Sequence, residues 1–258
     1  MAVALPRSGP GAKLVALLAL LVVAALGFAA LGVWQVERLA WKRALIARVD
    51  ARVHAAPVAA PGPTEWTGLT RDNAEYRRVE VRGRFDASRQ VLVTAVTDLG
   101  GGYWVLAPLR TREGISLLVN RGFVPPEQRK TVPPPAAGDV QVVGLLRLTE
   151  PGGGFLRSNV PAEDRWYSRD VQAIARTLGL QGHVAPYFID AQSVDGATGG
   201  WPRPGLTVVQ FPNNHLGYAL TWFALAAGSL GAAVFLLRDD RRHRTAQPTS
   251  LEPDRHAH

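Results

Sequence analysis

His215 is the residue whose type and position best suit ligand chemistry. It stands in the segment NNHLGYALTW, where a polar loop gives way to a long apolar run. Asn213 or Asn214 can cap the helix that this run predicts, which leaves His215 at the start of that helix. The positive end of a helix favours neutral imidazole, the form that binds metals. A capping or interfacial histidine with no ligand would show the same pattern, so both interpretations stay open at this point.

Other kinds of chemistry have little support in the sequence. The chain has no Cys, which excludes disulfides, thiolate metal sites and cysteine nucleophiles. It also lacks H-E-x-x-H, G-x-G-x-x-G before a helix and the P-loop. No serine stands in a nucleophile-elbow context. We therefore expect no catalytic residues and a protein that is not an enzyme.

The charge of the chain is positive but dispersed. Twenty-nine Lys and Arg face 21 Asp and Glu, for a net charge of +8. Acidic residues interleave with the basic ones throughout the middle of the chain, so no basic block of the kind that binds nucleic acid is present. We expect no nucleic-acid partner.

Two uncharged apolar runs lie near the ends of the chain, at residues 14–33 and 216–237. At 1.5 Å per residue, about 20 residues span the hydrocarbon core of a bilayer. Neither run has the polar face of a soluble core helix, so both are predicted to be transmembrane helices. A cleaved signal peptide is the alternative for the first run. That run is longer than a secretory apolar region, and its apolar periodicity continues past it.

The flanking charges predict the topology. Arg238, Arg241, Arg242 and Arg244 follow the second run, which places the C-terminus, and hence also the N-terminus, in the cytoplasm. The charges around the first run argue the other way, but long domains often translocate regardless of nearby charge. The predicted organisation is a cytoplasmic tail (1–13), a span (14–33), a juxtamembrane helix (34–55), an extracytoplasmic β-rich domain (56–215), a span (216–237) and a disordered cytoplasmic tail (238–258).

Small residues recur at a spacing of four on the second run, at Ala224, Gly228 and Ala232. Ala25 and Ala29 offer a similar face on the first run. Such faces let helices approach closely in lipid, which predicts that the two spans pack together through them. Homo-oligomerisation is the alternative use of the same faces.

The segment between the runs alternates apolar and polar residues in short stretches, which predicts strands. The predicted strands are 76–86, 90–97, 102–110, 115–125, 139–150, 185–191 and 206–210. One helix is expected after Asp170, over VQAIARTLGL, closed by Gly182. Short connections favour an antiparallel barrel or sandwich. The predicted fold class is therefore membrane α+β, with two transmembrane helices flanking an antiparallel β-barrel or sandwich-like domain that carries one short helix.

Several segments together resemble the Surfeit locus protein 1 family of cytochrome c oxidase assembly factors. They are LGVWQVERLAWKRALI (31–46), YRRVEVRGRFD (76–86), LLVNRGFVP (117–125), GLLR (144–147), FLRSNV followed by WYSRD (155–170) and NNHLGYALTWFALA (213–226). The resemblance covers about residues 25–235. Phe123 departs from it, because many members have Trp after N-R-G, and the C-terminal tail matches nothing in the family.

The resemblance implies a protein that binds haem a and aids its insertion into the core subunit of the oxidase. The proposed axial ligand of the family matches His215, and imidazole is a standard haem ligand. The other implied haem contacts are Trp34 and Gln35 at the same depth, Tyr218 and Trp222 as lining, and Arg38 and Arg121 as partners of the propionates. The implied partners are the oxidase core subunit, haem a synthase and the lipid bilayer. Arg-rich and Ala-rich composition suggests a bacterial source, so the two predicted spans place the protein in the bacterial plasma membrane.

Two other functions stay open from the sequence. The domain could act as a scaffold that clamps the nascent oxidase subunit without touching haem. An enzyme acting on a lipid or a haem precursor is the third class. It would need a pocket with convergent titratable groups, and the sequence nominates none.

Overall fold

The computed structural model describes residues 11–154, 156–197, 199–207 and 213–246. The chain forms two compact units. One comprises Met1–Leu45 and Phe211–His258, and the other comprises Ile46–Gln210. The first unit is built from two long helices and the second from a seven-stranded sheet.

The two long helices are α1 (Ala12–His54) and α4 (His215–Ala246). The mean hydropathy of their most apolar stretches is 2.9 in α1 and 1.9 in α4, and both helices are long and apolar enough to cross a membrane. Helix α1 is continuous through the first apolar run and the segment that follows it. Most large apolar side chains of both helices are exposed, as expected where lipid is the solvent.

The two helices meet along a seam whose residues recur at alternating spacings of three and four. The least exposed positions of α4 follow this pattern at His215, Ala219, Trp222, Ala226, Ser229, Ala233 and Leu236. On α1 the pattern is followed by Leu18, Leu21, Ala25, Phe28, Gly32, Gln35 and Leu39, and Ala24 and Ala29 beside it are also half-buried. Contacts of Phe28 with Trp222 and of Gln35 with His215 show that the helices run antiparallel.

The predicted contact face of the second span is wrong. Ala224, Gly228 and Ala232 are exposed, whereas alanines seven residues apart, at 219, 226 and 233, are buried. On α1, Ala25 does lie in the seam. A strict four-residue spacing drifts around a helix, and a seven-residue repeat keeps one stripe facing its partner. The homo-oligomer suggested for the exposed stripe stays a prediction.

The sheet unit contains seven strands in the order β1-β2-β6-β7-β5-β4-β3. They are β1 (Val58–Ala59), β2 (Arg78–Phe85), β3 (Val91–Thr97), β4 (Gly100–Arg110), β5 (Ser116–Val124), β6 (Asp139–Leu148) and β7 (Val184–Val194). Two short helices complete the unit, α2 (Arg71–Ala74) and α3 (Val171–Thr177), with single 3-10 turns at Trp66–Gly68, Pro126–Gln128 and Pro161–Glu163.

The membrane α+β class is confirmed, but the sheet is mixed rather than antiparallel. Strands β1 and β2 pair in parallel, as do β5 and β7. Short hairpin connections account only for β3, β4 and β5; the connection from β5 to β7 contains β6 and α3, which is long enough for a parallel crossover. The sheet curls until β2 and β4 pair over Arg84 with Arg110 and Phe85 with Leu109. This contact falls short of a closed barrel.

Central strands of the sheet are covered on both faces. Alternate residues of β5 enter two different cores: Leu117 and Val119 pack in one, and Leu118 packs in the other. The second core is completed by Trp166 and by Ile174 of α3. Burial on both faces explains why β5 reads as a nearly continuous apolar run.

Helix α3 lies where the sequence predicts it, but it is shorter. The side chain of Asp170 accepts a hydrogen bond from the backbone N–H of Ala173 at 3.0 Å, which caps the first turn. The helix ends at Thr177, and Gly179 (φ 63°) turns the chain out of it. Gly182, the expected end, lies beyond this turn. The last predicted strand, 206–210, falls mostly outside the described residues.

Candidate functional site

His215 is the first residue of α4, and its ring is hydrogen bonded to the facing helix. Its Nδ1 lies 2.7 Å from Oε1 of Gln35 in α1. Gln35 is only 8% exposed, although it lies in an apolar helix. A buried amide requires a partner, and His215 provides it. The hydrogen bond therefore fixes the imidazole against the seam.

This hydrogen bond selects a tautomer of His215. An amide oxygen can only accept, so Nδ1 carries the proton and donates it to Oε1 of Gln35. In the neutral imidazole Nε2 then carries the lone pair, and no described residue hydrogen bonds to it. Histidines that bind metals almost always donate their other ring N–H to an oxygen in this way. The arrangement suits a single nitrogen ligand.

Asn214 directly precedes α4 and accepts the first hydrogen bond of that helix. The backbone carbonyl of Asn214 accepts from the N–H of Tyr218 at 3.3 Å. The side-chain oxygen Oδ1 of Asn213 is buried without a partner among the described residues. His215 thus stands at the helix start as expected, with its own side chain directed to α1.

One flank of the helix pair carries exposed aromatic side chains next to His215. Arg38 directly precedes the seam residue Leu39, and Tyr218 directly precedes Ala219; such positions lie on the same side of an antiparallel pair. Trp34 precedes Arg38 by four residues and so shares its face. Trp34 is 53% exposed and Tyr218 is 57% exposed. The flank beside His215 therefore offers a flat apolar surface with a cation at its edge.

The structure places Trp222 differently from Tyr218. Its ring stacks on Phe28 of α1, with centroids 5.7 Å apart and planes 25° apart, so it forms part of the seam. Gly32 gives the same region its close approach, because a Cβ there would lie 2.6 Å from the ring of Phe223. Trp222 and Phe28 thus hold the two helices together one heptad below His215.

Arg121 lies in the sheet unit, on β5, and its guanidinium is largely engaged. Nη1 donates to the carbonyl of Pro133 at 2.9 Å and Nη2 to that of Pro134 at 3.0 Å. Burial lowers the pKa of Arg121 to about 10. Its hydrogen bonds to Pro133 and Pro134 attach the Pro-rich loop that follows β5 to this strand.

The N-R-G motif as a whole has a structural explanation. Asn120 donates to Asp190 at 2.8 Å and accepts from the N–H of Gly122 at 3.1 Å. Gly122 has φ 133°, and a Cβ there would overlap the carbonyl of Arg203. Phe123, which departs from the family pattern, packs edge-on against Trp104 and Trp201, with ring centroids at 5.9 and 6.1 Å.

Sequence reasoning missed a buried ionic network around Asp190, which is 2% exposed. Its carboxylate pairs with Arg147 at 3.0 Å and with Arg169 at 3.1 Å. Glu75 binds Arg147 at 2.7 Å, and Glu150 binds Arg169 at 2.6 Å. Burial disfavours the charge of Arg147, but Asp190 and Glu75 outweigh it and raise its pKa. The network could have been inferred from one acidic residue, Asp190, within the apolar stretch PYFIDA, because a buried carboxylate requires a cationic partner.

The network is fully paired and so is structural. Its charged groups satisfy one another, and Thr207 also donates to Asp190 at 3.0 Å. Within the described part of the chain, no group of three or more His, Cys, Asp or Glu residues could hold a metal ion. Among the described residues, a lone imidazole at the helix pair is therefore the feature that best suits a metal-containing ligand.

Comparisons with known proteins agree with the resemblance of the motifs. The model of the SURF1 family matches residues 22–227. Surfeit locus protein 1 of Mus musculus is 39% identical over 233 residues, covering 81% of this chain and 72% of the relative. The Homo sapiens protein of the same name is 38% identical, covering 77% and 70%. A SURF1-like protein of Monosiga brevicollis is 34% identical, covering 81% and 82%. The matched residues extend from α1 to α4 and include the N-R-G strand and His215. This chain therefore belongs to the SURF1 family.

Proposed function

We propose that the chain is a membrane-anchored assembly factor for cytochrome c oxidase that binds haem a and aids its insertion into the oxidase core subunit. The observation that carries this proposal is the hydrogen bond from Nδ1 of His215 to Gln35, which leaves Nε2 available. Bound haem a would supply an iron that accepts a nitrogen ligand. The protein itself makes and breaks no covalent bond in this role.

The residues around His215 fit such a ligand. Gln35 orients the imidazole, and Trp34 and Tyr218 lie exposed on the adjoining flank, where a flat apolar macrocycle could rest. Arg38 lies on the same flank, with its guanidinium 4.1 Å from the ring centroid of Trp41. An arginine there suits a propionate, since its planar fork matches a carboxylate. Trp222 supports the site by stacking on Phe28. The pairing of Arg121 with a second propionate stays a prediction.

Release of haem a requires that its affinity for this chain be low. A carrier must bind its cargo less tightly than the final acceptor does, or no transfer follows. A single half-buried imidazole satisfies this condition better than two axial ligands that enclose the iron from both sides. Haem a synthase is the expected donor, and the oxidase core subunit is the expected acceptor.

We place both termini in the cytoplasm and the sheet unit outside the plasma membrane of a bacterium. Support comes from the antiparallel helix pair, which brings the start of α1 and the end of α4 to the same side. The arginines at the end of α4 favour the cytoplasmic side for that end.

A scaffold without haem is the second candidate. The observation that favours it is the tip of the hairpin between β3 and β4, where Val96 is 85% exposed and Leu99 is also exposed. Exposed apolar side chains of this kind suit contact with another protein. In this role the chain would clamp the nascent oxidase subunit by its sheet unit.

The test is the haem content of the protein purified from cells that make haem a. His215→Ala should remove the bound haem, whereas His54→Ala should not, because His54 is exposed and its ring contacts Asp50 in its own helical turn. Equal haem content and identical spectra in both variants would overturn the carrier function. Copurification of the oxidase subunit from a strain without haem a would then support the scaffold.

A further inference from the structure

Arg121 is a partly buried cation that no acidic side chain of the described residues neutralises. Its partners are the carbonyls of Pro133 and Pro134 and, at 3.4 Å, the side-chain oxygen of Gln90. Burial alone lowers the pKa of Arg121, with no nearby carboxylate to restore it. A buried cation without a counter-ion is costly, so an incoming carboxylate would be favoured here.

The guanidinium keeps one edge free for such a carboxylate. Of the five N–H donors of an arginine, two on Nη1 face Gln90 and Pro133, and one on Nη2 faces Pro134. The Nε–H and the second Nη2–H have no acceptor among the described residues. In an arginine the Nε–H and the adjacent Nη2–H form a fork that can bind both oxygens of a carboxylate, and at Arg121 the Nε–H of this fork has no partner among the described residues.

Arg121 borders a cleft of about 440 Å³ whose other walls are mainly apolar. The lining includes Phe85, Pro133, Pro134, Trp201 and Pro202. This volume is in the range of sites for small molecules, which typically combine apolar walls with a few placed polar groups. A second cation lies close by, because the guanidinium of Arg203 is 4.8 Å from the ring centroid of Trp201.

We propose that this cleft binds a small molecule with an apolar, ring-sized body and a carboxylate, which is held by the Nε and Nη2 edge of Arg121. The shared chemistry has two sources, a free organic acid or a propionate of haem a. The proposal does not depend on haem binding by His215, and its test uses no haem in its first arm.

The first arm titrates 1-naphthoate into the full-length protein in lipid nanodiscs and follows heat by calorimetry, with empty nanodiscs subtracted. We expect saturable binding that Arg121→Gln weakens at least about tenfold, as the loss of charge-assisted hydrogen bonds implies. Arg121→Lys should weaken it too, because lysine keeps the charge but lacks the fork. Arg110→Gln, which removes an exposed strand arginine from a different cleft, should bind like the parent.

Because Arg121 also holds the loop at Pro133 and Pro134, a second variant separates loss of the ligand from loss of the fold. Ala197 is exposed at the lining of the cleft, so Ala197→Trp should block binding with Arg121 intact and the melting temperature unchanged. Equal binding by 1-naphthalenemethanol, or full binding by Arg121→Gln, would overturn the proposal. In a second arm, loss of naphthoate binding on loading with haem a would assign the site to a propionate, and simultaneous binding would assign it to a free acid.

Discussion

Nδ1 of His215 donates to Oε1 of Gln35 across 2.7 Å, and this hydrogen bond joins the first turn of α4 to the middle of α1. It explains why a glutamine is buried in the seam of two long apolar helices. It also sets the tautomer of the imidazole and turns Nε2 away from the amide. Within the segment LGVWQVERLAWKRALI, Gln35 faces the seam, and Trp34 and Arg38 lie on the flank.

Gln35→Leu tests the orienting role of this amide. The substitution keeps the bulk of the side chain but removes the acceptor, so the imidazole loses the hydrogen bond that fixes it. Haem affinity should fall by about 10-fold to 100-fold, the usual cost of losing the outer partner of a ligating histidine. The measurement is a haem titration of the purified protein followed by absorbance.

Gln35→Glu is the matched control, because a carboxylate still accepts from Nδ1. It should retain haem and lower the reduction potential of the haem, since a more basic imidazole stabilises ferric iron. If Gln35→Leu and Gln35→Glu bound haem with the same affinity and gave it the same reduction potential, Gln35 would have no orienting role.

The helix seam predicts opposite effects for two alanines on α4. Ala226 is buried in the seam, so Ala226→Leu should overpack it, at a cost of about 1–3 kcal/mol. Ala224 is exposed, so Ala224→Leu should be neutral in lipid. Apparent melting temperatures of the two variants in the same detergent provide the comparison. If Ala224→Leu lowered the melting temperature more than Ala226→Leu did, the contact face would instead be formed by Ala224, Gly228 and Ala232.

Asp190→Asn should strongly destabilise the sheet unit. The substitution leaves Arg147 and Arg169 without their shared carboxylate, and breaking a buried ion pair costs about 3–5 kcal/mol. We expect an apparent melting temperature lower by on the order of 10 °C. Glu163→Gln removes an exposed partner of Arg165 and should leave it unchanged. Equal melting of the two variants would show that the network contributes no stability.

Gly122→Ala should impair folding because of both the backbone and the neighbouring chain. At φ 133° a side chain is strained, and its Cβ would overlap the carbonyl of Arg203. Gly101→Ala is the control, because that glycine is also in a strand but has nothing within 4 Å. The yield of folded protein and its near-ultraviolet dichroism measure the effect. A parental signal from the variant at 122 would contradict the close approach.

The elements were largely predictable from the sequence because their signals are local. Short apolar or alternating stretches located β2 to β7, Asp170 marked the start of α3, and two uncharged runs marked the long helices. The parallel pairing of β5 with β7 was not predictable, since it depends on where a long connection returns. The contact face of α4 was misassigned because this helix carries two stripes of small residues, one through Ala224 and one through Ala226. Only packing shows that the stripe through Ala226 faces α1.

The candidate site was only partly predictable for the same reason. His215 was found from its place at a helix start, but its contact with Gln35 joins residues 180 positions apart. The network around Asp190 likewise joins β7 to Glu75, Arg147 and Arg169, which are distant in sequence. A single polar residue in an apolar segment indicates that a partner exists without saying which one.

The most direct test of the central claim is pulsed electron paramagnetic resonance of the ferric, haem-loaded protein, prepared with natural and with ¹⁵N-labelled histidine. Ligation by Nε2 of His215 predicts a strongly coupled histidine nitrogen whose signal changes with the isotope and is absent from His215→Ala. An isotope-independent spectrum, or one that survives in His215→Ala, would contradict a role for His215 as a ligand of haem a.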